Sequence, residues 1–123
     1  MSTPVGPYAP SLRAGEWLVC SGQIGIGPGP EGPRLVDGFA AQTGQALHNV
    51  RQLLSEAGLS WPAVVKVTAF LADIGDYGEF NRLYLEELGD HRPARSVVAV
   101  AGLPLGARVE IEVWAWTGRS SAS

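Results

Sequence analysis

Three stretches of the chain have sequence patterns that are typical of β-strands. The clearest runs from Arg108 to Trp116 near the C-terminus, where successive residues alternate strictly between two faces. A β-branched run from Val64 to Leu71 predicts a second strand, and segments 11–14 and 17–24 predict a hairpin that turns at Gly15-Glu16. In the last strand the two faces would carry Val109, Ile111, Val113 and Ala115 on one side, and Arg108, Glu110, Glu112, Trp114 and Trp116 on the other.

Two other segments have helical spacing. Apolar residues recur every three or four positions from Phe39 to Ala57, and again from Tyr77 to Leu88. A glycine follows each segment, as is common at helix ends. The order is then hairpin, helix, strand, helix, strand, strand. This order indicates an α+β fold in which two helices pack on one face of a mixed β-sheet.

The sheet face that the helices leave uncovered is predicted to be strongly apolar. It would show Trp114 and Trp116 together with Arg95 and Val97 from the preceding strand. Monomeric soluble proteins rarely leave a large contiguous apolar patch in water. We therefore expect copies of the chain to associate and to bury this face.

Composition narrows the class of protein. The 123 residues fit one domain, 1–123, and the net charge of −3 without a basic run disfavours nucleic-acid binding. No apolar stretch approaches the ~20 residues that span a bilayer. The N-terminus lacks an export signal, and Cys20 is the only cysteine, so a cytoplasmic location is expected. Cys20 itself is predicted to be a small core thiol.

An arginine and a glutamate stand out on the two late strands. Arg95 interrupts the β-branched run Pro93-Ala94-Arg95-Ser96-Val97-Val98, and Glu110 lies on the polar side of the last strand. The pair indicates either a site for an anion and a water molecule or a structural ion pair. Tyr8 between two prolines, Ser21 beside Gly22, and Asn81 at the edge of the second helix are either ligand contacts or ordinary packing and surface residues.

Six blocks of this sequence, in the same order, resemble the RidA (YjgF) family along nearly the whole chain. They are Gly6-Pro7-Tyr8, Ser21-Gly22-Gln23, Val65-Lys66-Val67-Thr68-Ala69-Phe70-Leu71, Phe80-Asn81, Arg92-Pro93-Ala94-Arg95-Ser96, and Leu103-Pro104 followed by Val109-Glu110-Ile111-Glu112. The resemblance implies a chorismate-mutase-like fold and a homotrimer with ligand clefts between subunits. It also implies a deaminase that hydrolyses 2-aminoacrylate-type enamines and imines to 2-oxo acids and ammonia.

The resemblance also assigns roles to individual residues. Arg95 would hold the substrate carboxylate and Glu110 would orient or activate water, while Tyr8, Ser21 and Asn81 would be polar residues of the cleft. Many family members have a cysteine where this chain has Val97, whose backbone can still bind substrate but which excludes a thiol mechanism. No cofactor is implied, and no metal site is expected, since His48 and His91 lack ligand spacing. The expected ligand is a small carboxylate, with neither nucleic acid nor membrane as a partner.

Other functions stay open. The chain could bind 2-oxo acids as a regulator without turnover, or be an endoribonuclease, as reported for some relatives. The acidic net charge disfavours the endoribonuclease. A purely structural trimer would leave the placement of Arg95, Glu110, Tyr8 and Ser21 unexplained.

Overall fold

The computed structural model of the protein describes residues 6–118. It consists of a five-stranded sheet, a separate two-stranded ribbon, and two helices. The strands are β1 (Ser11–Ala14), β2 (Trp17–Gln23), β3 (Ile26–Gly27), β4 (Arg34–Leu35), β5 (Val64–Leu71), β6 (Ala94–Ala99) and β7 (Val109–Trp116). The helices are α1 (Phe39–Glu56) and α2 (Tyr77–Leu88), and short 3-10 turns span Trp61–Ala63, Ile74–Asp76 and Pro104–Gly106.

The large sheet has the strand order β1-β2-β7-β5-β6, so the last of the described strands, β7, lies in its middle. β5 and β6 are parallel and are joined through α2, whereas the other pairs are antiparallel. The predicted mixed sheet with two helices is therefore confirmed. The predicted hairpin, both helices and the strands at 64–71 and 109–116 are also confirmed, within a residue or two at their ends.

The core lies between the helices and one face of the sheet. Val109, Ile111, Val113 and Ala115 are fully buried there, as their alternation predicts. Their polar neighbours on β7 point to the opposite side, which we call the open face. On the open face Trp114 and Trp116 are 43% and 37% exposed and meet the ring of Trp17 edge-on.

The predicted positions of Arg95 and Val97 on the open face are wrong. Arg95 lies opposite Val67 in the parallel β5–β6 pair, and Val97 lies opposite Ala69. Val67 and Ala69 are fully buried under the helices, and residues opposite each other in neighbouring strands share a face. Arg95 and Val97 therefore point to the helix side, and β6 presents Ser96 and Val98 on the open face.

Three polar side chains, Gln23, Gln42 and Asn49, are buried. Strict strand alternation would place Gln23 on the face of Trp17 and Val19, but a bulge between Cys20 and Gln23 turns it into the interior. Gln42 of α1 accepts a hydrogen bond from the backbone N–H of Arg108 (2.8 Å). The loop from Gly25 to Pro33 contains β3, which pairs with β4, and Asn49 of α1 donates to the Ile24 and Ile26 carbonyls.

Candidate functional site

Arg95 is held by aromatic residues of α2. Its Nη2 donates a hydrogen bond to the Tyr77 hydroxyl at 3.1 Å, and its guanidinium carbon lies 4.9 Å from the centre of the Tyr84 ring. The Phe80 ring is 5.8 Å away. A guanidinium over aromatic faces is attracted by the ring quadrupoles, and the contact restricts the side chain to one orientation.

Arg95 has no carboxylate within 4.0 Å among residues 6–118, and it therefore differs from most other arginines of the fold. The hypothesis that Arg95 and Glu110 form an ion pair within one chain is wrong. The arginines that do have carboxylate partners are Arg34, Arg51, Arg82 and Arg108. An oriented guanidinium without a carboxylate partner is a suitable group for binding an external anion.

A cavity of about 320 Å³ opens beside Arg95, and we call it the arginine cleft. Two polar atoms at its wall, Asn81 Oδ1 and the Tyr84 hydroxyl, are buried without a hydrogen-bond partner among the described residues. Burial raises the pKa of Tyr84, while the charges of Arg95 and Arg92 act to lower it. Buried polar atoms are normally paired, so these two lack the partner that burial usually requires. The cleft is lined by Asn81, Tyr84, Leu85, Arg92, Pro93 and Arg95.

Glu110 lies on the other side of the sheet. It is opposite Phe70 of β5 on the open face, and its carboxylate packs against the backbone of Gly22, where a Cβ atom would lie only 2.5 Å from Oε2. Gly22 sits in the bulge of β2, and a glycine inside a strand is typical of a bulge or of a close approach to the backbone. Burial raises the pKa of Glu110, and the nearby charge of Glu112 raises it further.

Tyr8 and Ser21 line a second cavity of about 350 Å³, the tyrosine cleft, next to β1 and β2. Tyr8 is 42% exposed. The Ser21 hydroxyl donates to the Ala9 carbonyl at 2.6 Å, so its lone pairs remain free to accept a hydrogen bond. Leu12, Val19 and Trp114 of the same cleft belong to the open face, and Ser21 directly precedes the glycine under Glu110.

The candidate residues thus form two groups on opposite faces of the sheet. Arg95 and Asn81 share the arginine cleft, while Tyr8, Ser21 and Glu110 lie on the open-face side. The Cα atoms of Arg95 and Glu110 are separated by roughly 14 Å, because two strand spacings and three residues along the strand lie between them. Arg95 and Glu110 of one chain therefore do not meet across a small molecule.

Val97 packs against the hydrophobic core on the helix side of β6. The sequence analysis did not select Tyr77, Tyr84 or Arg92 as site residues. Tyr84 has the helical spacing of a packing residue, and that spacing gives no sign that its hydroxyl lacks a hydrogen-bond partner within residues 6–118. Arg92 lies only three residues before Arg95, which was the available signal for a second cation near the site.

Other chemically reactive groups have ordinary surroundings. Cys20 is buried, which raises the pKa of its thiol to about 11, and the prediction of a core thiol is confirmed. His48 is exposed and contacts Arg51 on the next turn of α1. Lys66 donates to the Ser96 hydroxyl. Between residues 6 and 118 no three His, Cys, Asp or Glu side chains are grouped to hold a metal ion, and no helix there is long and apolar enough to cross a membrane.

Comparison with known proteins gives consistent matches along nearly the whole chain. A family model described as "Endoribonuclease L-PSP" matches residues 1–117. A "RutC family protein" of Aquifex aeolicus is 45% identical over 112 residues, covering 89% of this chain and 88% of that protein. The human "2-iminobutanoate/2-iminopropanoate deaminase" is 39% identical over 114 residues, covering 93% and 82%. The crystal structure of RidA from the Antarctic bacterium Psychrobacter sp. PAMC 21119 superposes with a TM-score of 0.86 at 36% identity, covering 93% and 91%.

Proposed function

We propose, since this chain belongs to the RidA (YjgF) family, that it is an enamine and imine deaminase. Its substrates would be 2-imino acids such as 2-iminobutanoate and 2-iminopropanoate, with their enamine tautomers, and its products 2-oxo acids and ammonia. The human relative that bears this activity in its name is aligned over 93% of the chain. The observation that carries the proposal is the Arg95 guanidinium, fixed over aromatic rings beside a cleft and without a carboxylate partner in the described residues.

Arg95 would bind the substrate carboxylate. A guanidinium matches a planar carboxylate with two parallel hydrogen bonds and stays charged at every working pH. Such a contact contributes about 1.5–3 kcal/mol. It would fix the position of the adjacent C=N carbon, which is the electrophile of the reaction.

Glu110 would act as the base and then as the acid. With the substrate as its iminium ion (C=NH₂⁺), Glu110 would take a proton from water as the water oxygen bonds to the carbon and the C=N π electrons move to nitrogen, which gives a neutral carbinolamine. Glu110 would then return this proton to the amine nitrogen, and ammonia would leave as the C–N bond breaks. The hydroxyl group would lose its proton to Glu110 or to water, which leaves the 2-oxo acid. Burial and the Glu112 charge raise the pKa of Glu110 toward the working pH, which favours proton transfer in both directions. General base catalysis of this kind contributes roughly 10²–10⁴ in rate.

We further propose that the complete site forms between copies of the chain in a homotrimer. Arg95 and Glu110 face opposite sides of the sheet, so Arg95 of one copy would have to meet Glu110, Tyr8 and Ser21 of another. The exposed rings of Trp114 and Trp116 give the open face the apolar surface that association would bury. A cytoplasmic location and the removal of reactive imines formed by other enzymes are part of the same proposal.

The first test is a coupled assay with a threonine or serine dehydratase, in which semicarbazide traps the released imine. We expect wild type to suppress semicarbazone formation, and Arg95→Ala and Glu110→Gln each to lose this effect. Arg82→Gln and Glu56→Gln are matched controls, because Arg82 is paired with carboxylates on the exposed side of α2 and Glu56 is exposed at the end of α1. Wild type that behaves like buffer, yet binds 2-oxobutanoate through Arg95, would make the protein a carboxylate-binding regulator. RNA incubated with the same preparations at low and high salt tests the endoribonuclease alternative.

Mixing the two inactive variants tests whether the site is shared. If Arg95 and Glu110 of one site come from different copies, random trimers of Arg95→Ala and Glu110→Gln chains should regain roughly a quarter of wild-type activity. The mixture must be refolded together or exchanged until the copies are scrambled. No recovery in demonstrably mixed trimers would show that both residues of a site belong to one copy.

A further inference from the structure

The arginine cleft contains one more cation than the proposed reaction requires. Arg92 lines the cleft together with Arg95, and neither has a carboxylate within 4.0 Å among the described residues. Nη1 of Arg92 donates to the backbone carbonyls of Gly89 and His91, just after the end of α2. These contacts hold the side chain beside the cleft, while its other N–H groups have no partner within residues 6–118.

Both guanidinium groups act on the same part of the cleft. Burial raises the pKa of Tyr84, and the positive charges of Arg95 and Arg92 both oppose this rise; the Tyr84 hydroxyl is buried at the wall without a partner in the described chain. Two like charges beside one partly enclosed cavity repel each other unless an anion lies between them. A ligand with one carboxylate would satisfy Arg95 alone, whereas a ligand with two would satisfy both cations.

We propose that the arginine cleft selects 2-imino acids whose side chain carries a second carboxylate, with Arg95 binding the α-carboxylate and Arg92 the side-chain carboxylate. The substrate class is then the imines of acidic amino acids. This inference rests on the proposed deaminase function, because it names the substrate of the same site. The volume of about 320 Å³ lies at the lower end of the range for small-molecule pockets and suits a short dicarboxylic acid.

The two unpaired polar atoms complete the recognition. The Tyr84 hydroxyl can donate to a carboxylate oxygen, and Asn81 Oδ1 can accept the N–H of an imine or enamine. A 2-oxo acid has a carbonyl oxygen where the imine has its nitrogen, so it offers no hydrogen to Asn81 Oδ1. The cleft would therefore hold the imine more tightly than the product, and the difference would favour product release.

Alternatively, Arg92 would not bind the ligand and would only stabilise the C-terminus of α2, through its hydrogen bond to the Gly89 carbonyl. The two roles predict different kinetics. We suggest generating a dicarboxylic imine with an oxidase for acidic amino acids and a monocarboxylic imine with an oxidase for neutral ones. Semicarbazone suppression is then measured for wild type, Arg92→Gln, Arg92→Lys and the matched control Arg82→Gln.

We expect wild type to prefer the dicarboxylic imine, and Arg92→Gln to lower the dicarboxylic-to-monocarboxylic ratio of kcat/KM by about twofold to fivefold, as expected for an exposed charge pair. The loss should appear mainly in KM, and Arg92→Lys should retain part of the preference because it keeps the charge. Arg82→Gln should leave the ratio at the wild-type value. An equal loss on both imines, or no wild-type preference, would overturn the inference and leave Arg92 as a helix-terminating residue.

Calorimetric titration with 2-oxoglutarate and 2-oxobutanoate separates this inference from the proposed function. If no imine is hydrolysed but 2-oxoglutarate binds more tightly, and Arg92→Gln removes the difference, the deaminase is refuted and dicarboxylate recognition stands. If monocarboxylic imines are hydrolysed and Arg92→Gln changes no ratio, the deaminase stands and the inference is wrong. Circular dichroism and the melting temperature establish that each variant is folded, and Arg92→Lys supplies the readout if Arg92→Gln is not.

Discussion

The substitution Gly22→Ala should separate catalysis from binding. A Cβ atom on Gly22 would lie 2.5 Å from Glu110 Oε2, 2.7 Å from its Cδ and 2.9 Å from its Cγ, whereas ordinary contacts begin at 3.4 Å. The carboxylate must therefore retreat by about 0.9 Å, and a misplacement of about 1 Å in a catalytic group can reduce the rate ~10²-fold. The backbone of Gly22 does not have the positive φ that would strain an alanine, so the fold should accept the new methyl group by moving the end of one flexible side chain.

We therefore expect Gly22→Ala to lower kcat in the semicarbazide assay by roughly 10²-fold while the Kd for 2-oxobutanoate changes less than about twofold. The matched control is Gly44→Ala on α1, where nothing lies within 4 Å of the added Cβ. This control should keep wild-type activity and gain up to ~1 kcal/mol of stability, because alanine favours a helix. A folded Gly22→Ala protein with kcat within about threefold of wild type would refute the catalytic placement of the Glu110 carboxylate.

Two further predictions concern buried polar groups. Because the pKa of Glu110 is raised in the folded chain, the contribution of Glu110 to stability is fully present below the ordinary glutamate pKa and is lost as the pH rises through the raised value. Glu110→Gln should remove this pH dependence and be more stable than wild type at neutral pH. Urea unfolding of both proteins at several pH values and one protein concentration tests this, and a difference in unfolding free energy that does not change with pH would contradict it. Tyr84→Phe removes a buried hydroxyl without a partner in residues 6–118, so it should not lower the melting temperature, while dicarboxylate affinity should fall about threefold to tenfold. A variant that is less stable than wild type but binds dicarboxylates with wild-type affinity would show that the hydroxyl stabilises the fold and does not bind the ligand.

The sequence predicted secondary structure better than it predicted which way β6 faces. β7 alternates between apolar residues and charged or aromatic ones, so its buried face could be predicted directly from the sequence. β6 has no such contrast, because Arg95 and Val97 alternate with Ser96 and Val98, and only its pairing with β5 shows that the arginine points to the helices. The prediction that Arg95 lies on the face left uncovered by the helices failed because three aromatic rings of α2 pack around the guanidinium.

The individual candidate residues could be predicted from the sequence, but their division between two clefts could not. Local spacing carries no information on whether Asn81 and Arg95, or Ser21 and Glu110, lie near each other, because those contacts join segments that are distant in sequence. Tyr84 and Gln42 illustrate a second limit. A polar group on a helix can be buried for packing, for a backbone hydrogen bond as in Gln42, or for a ligand, and the spacing is the same in each case.

The central position of β7 has a consequence for the synthesis of the protein. The strand that joins the β1–β2 hairpin to the β5–α2–β6 unit, β7, is synthesised after all the other described strands. Until β7 has emerged from the ribosome, these two parts would each expose a sheet edge and an apolar surface with no strand between them. We therefore expect the sheet to close only after β7 has emerged. Loss of the final strand would divide the sheet in two, whereas loss of an edge strand would only narrow it.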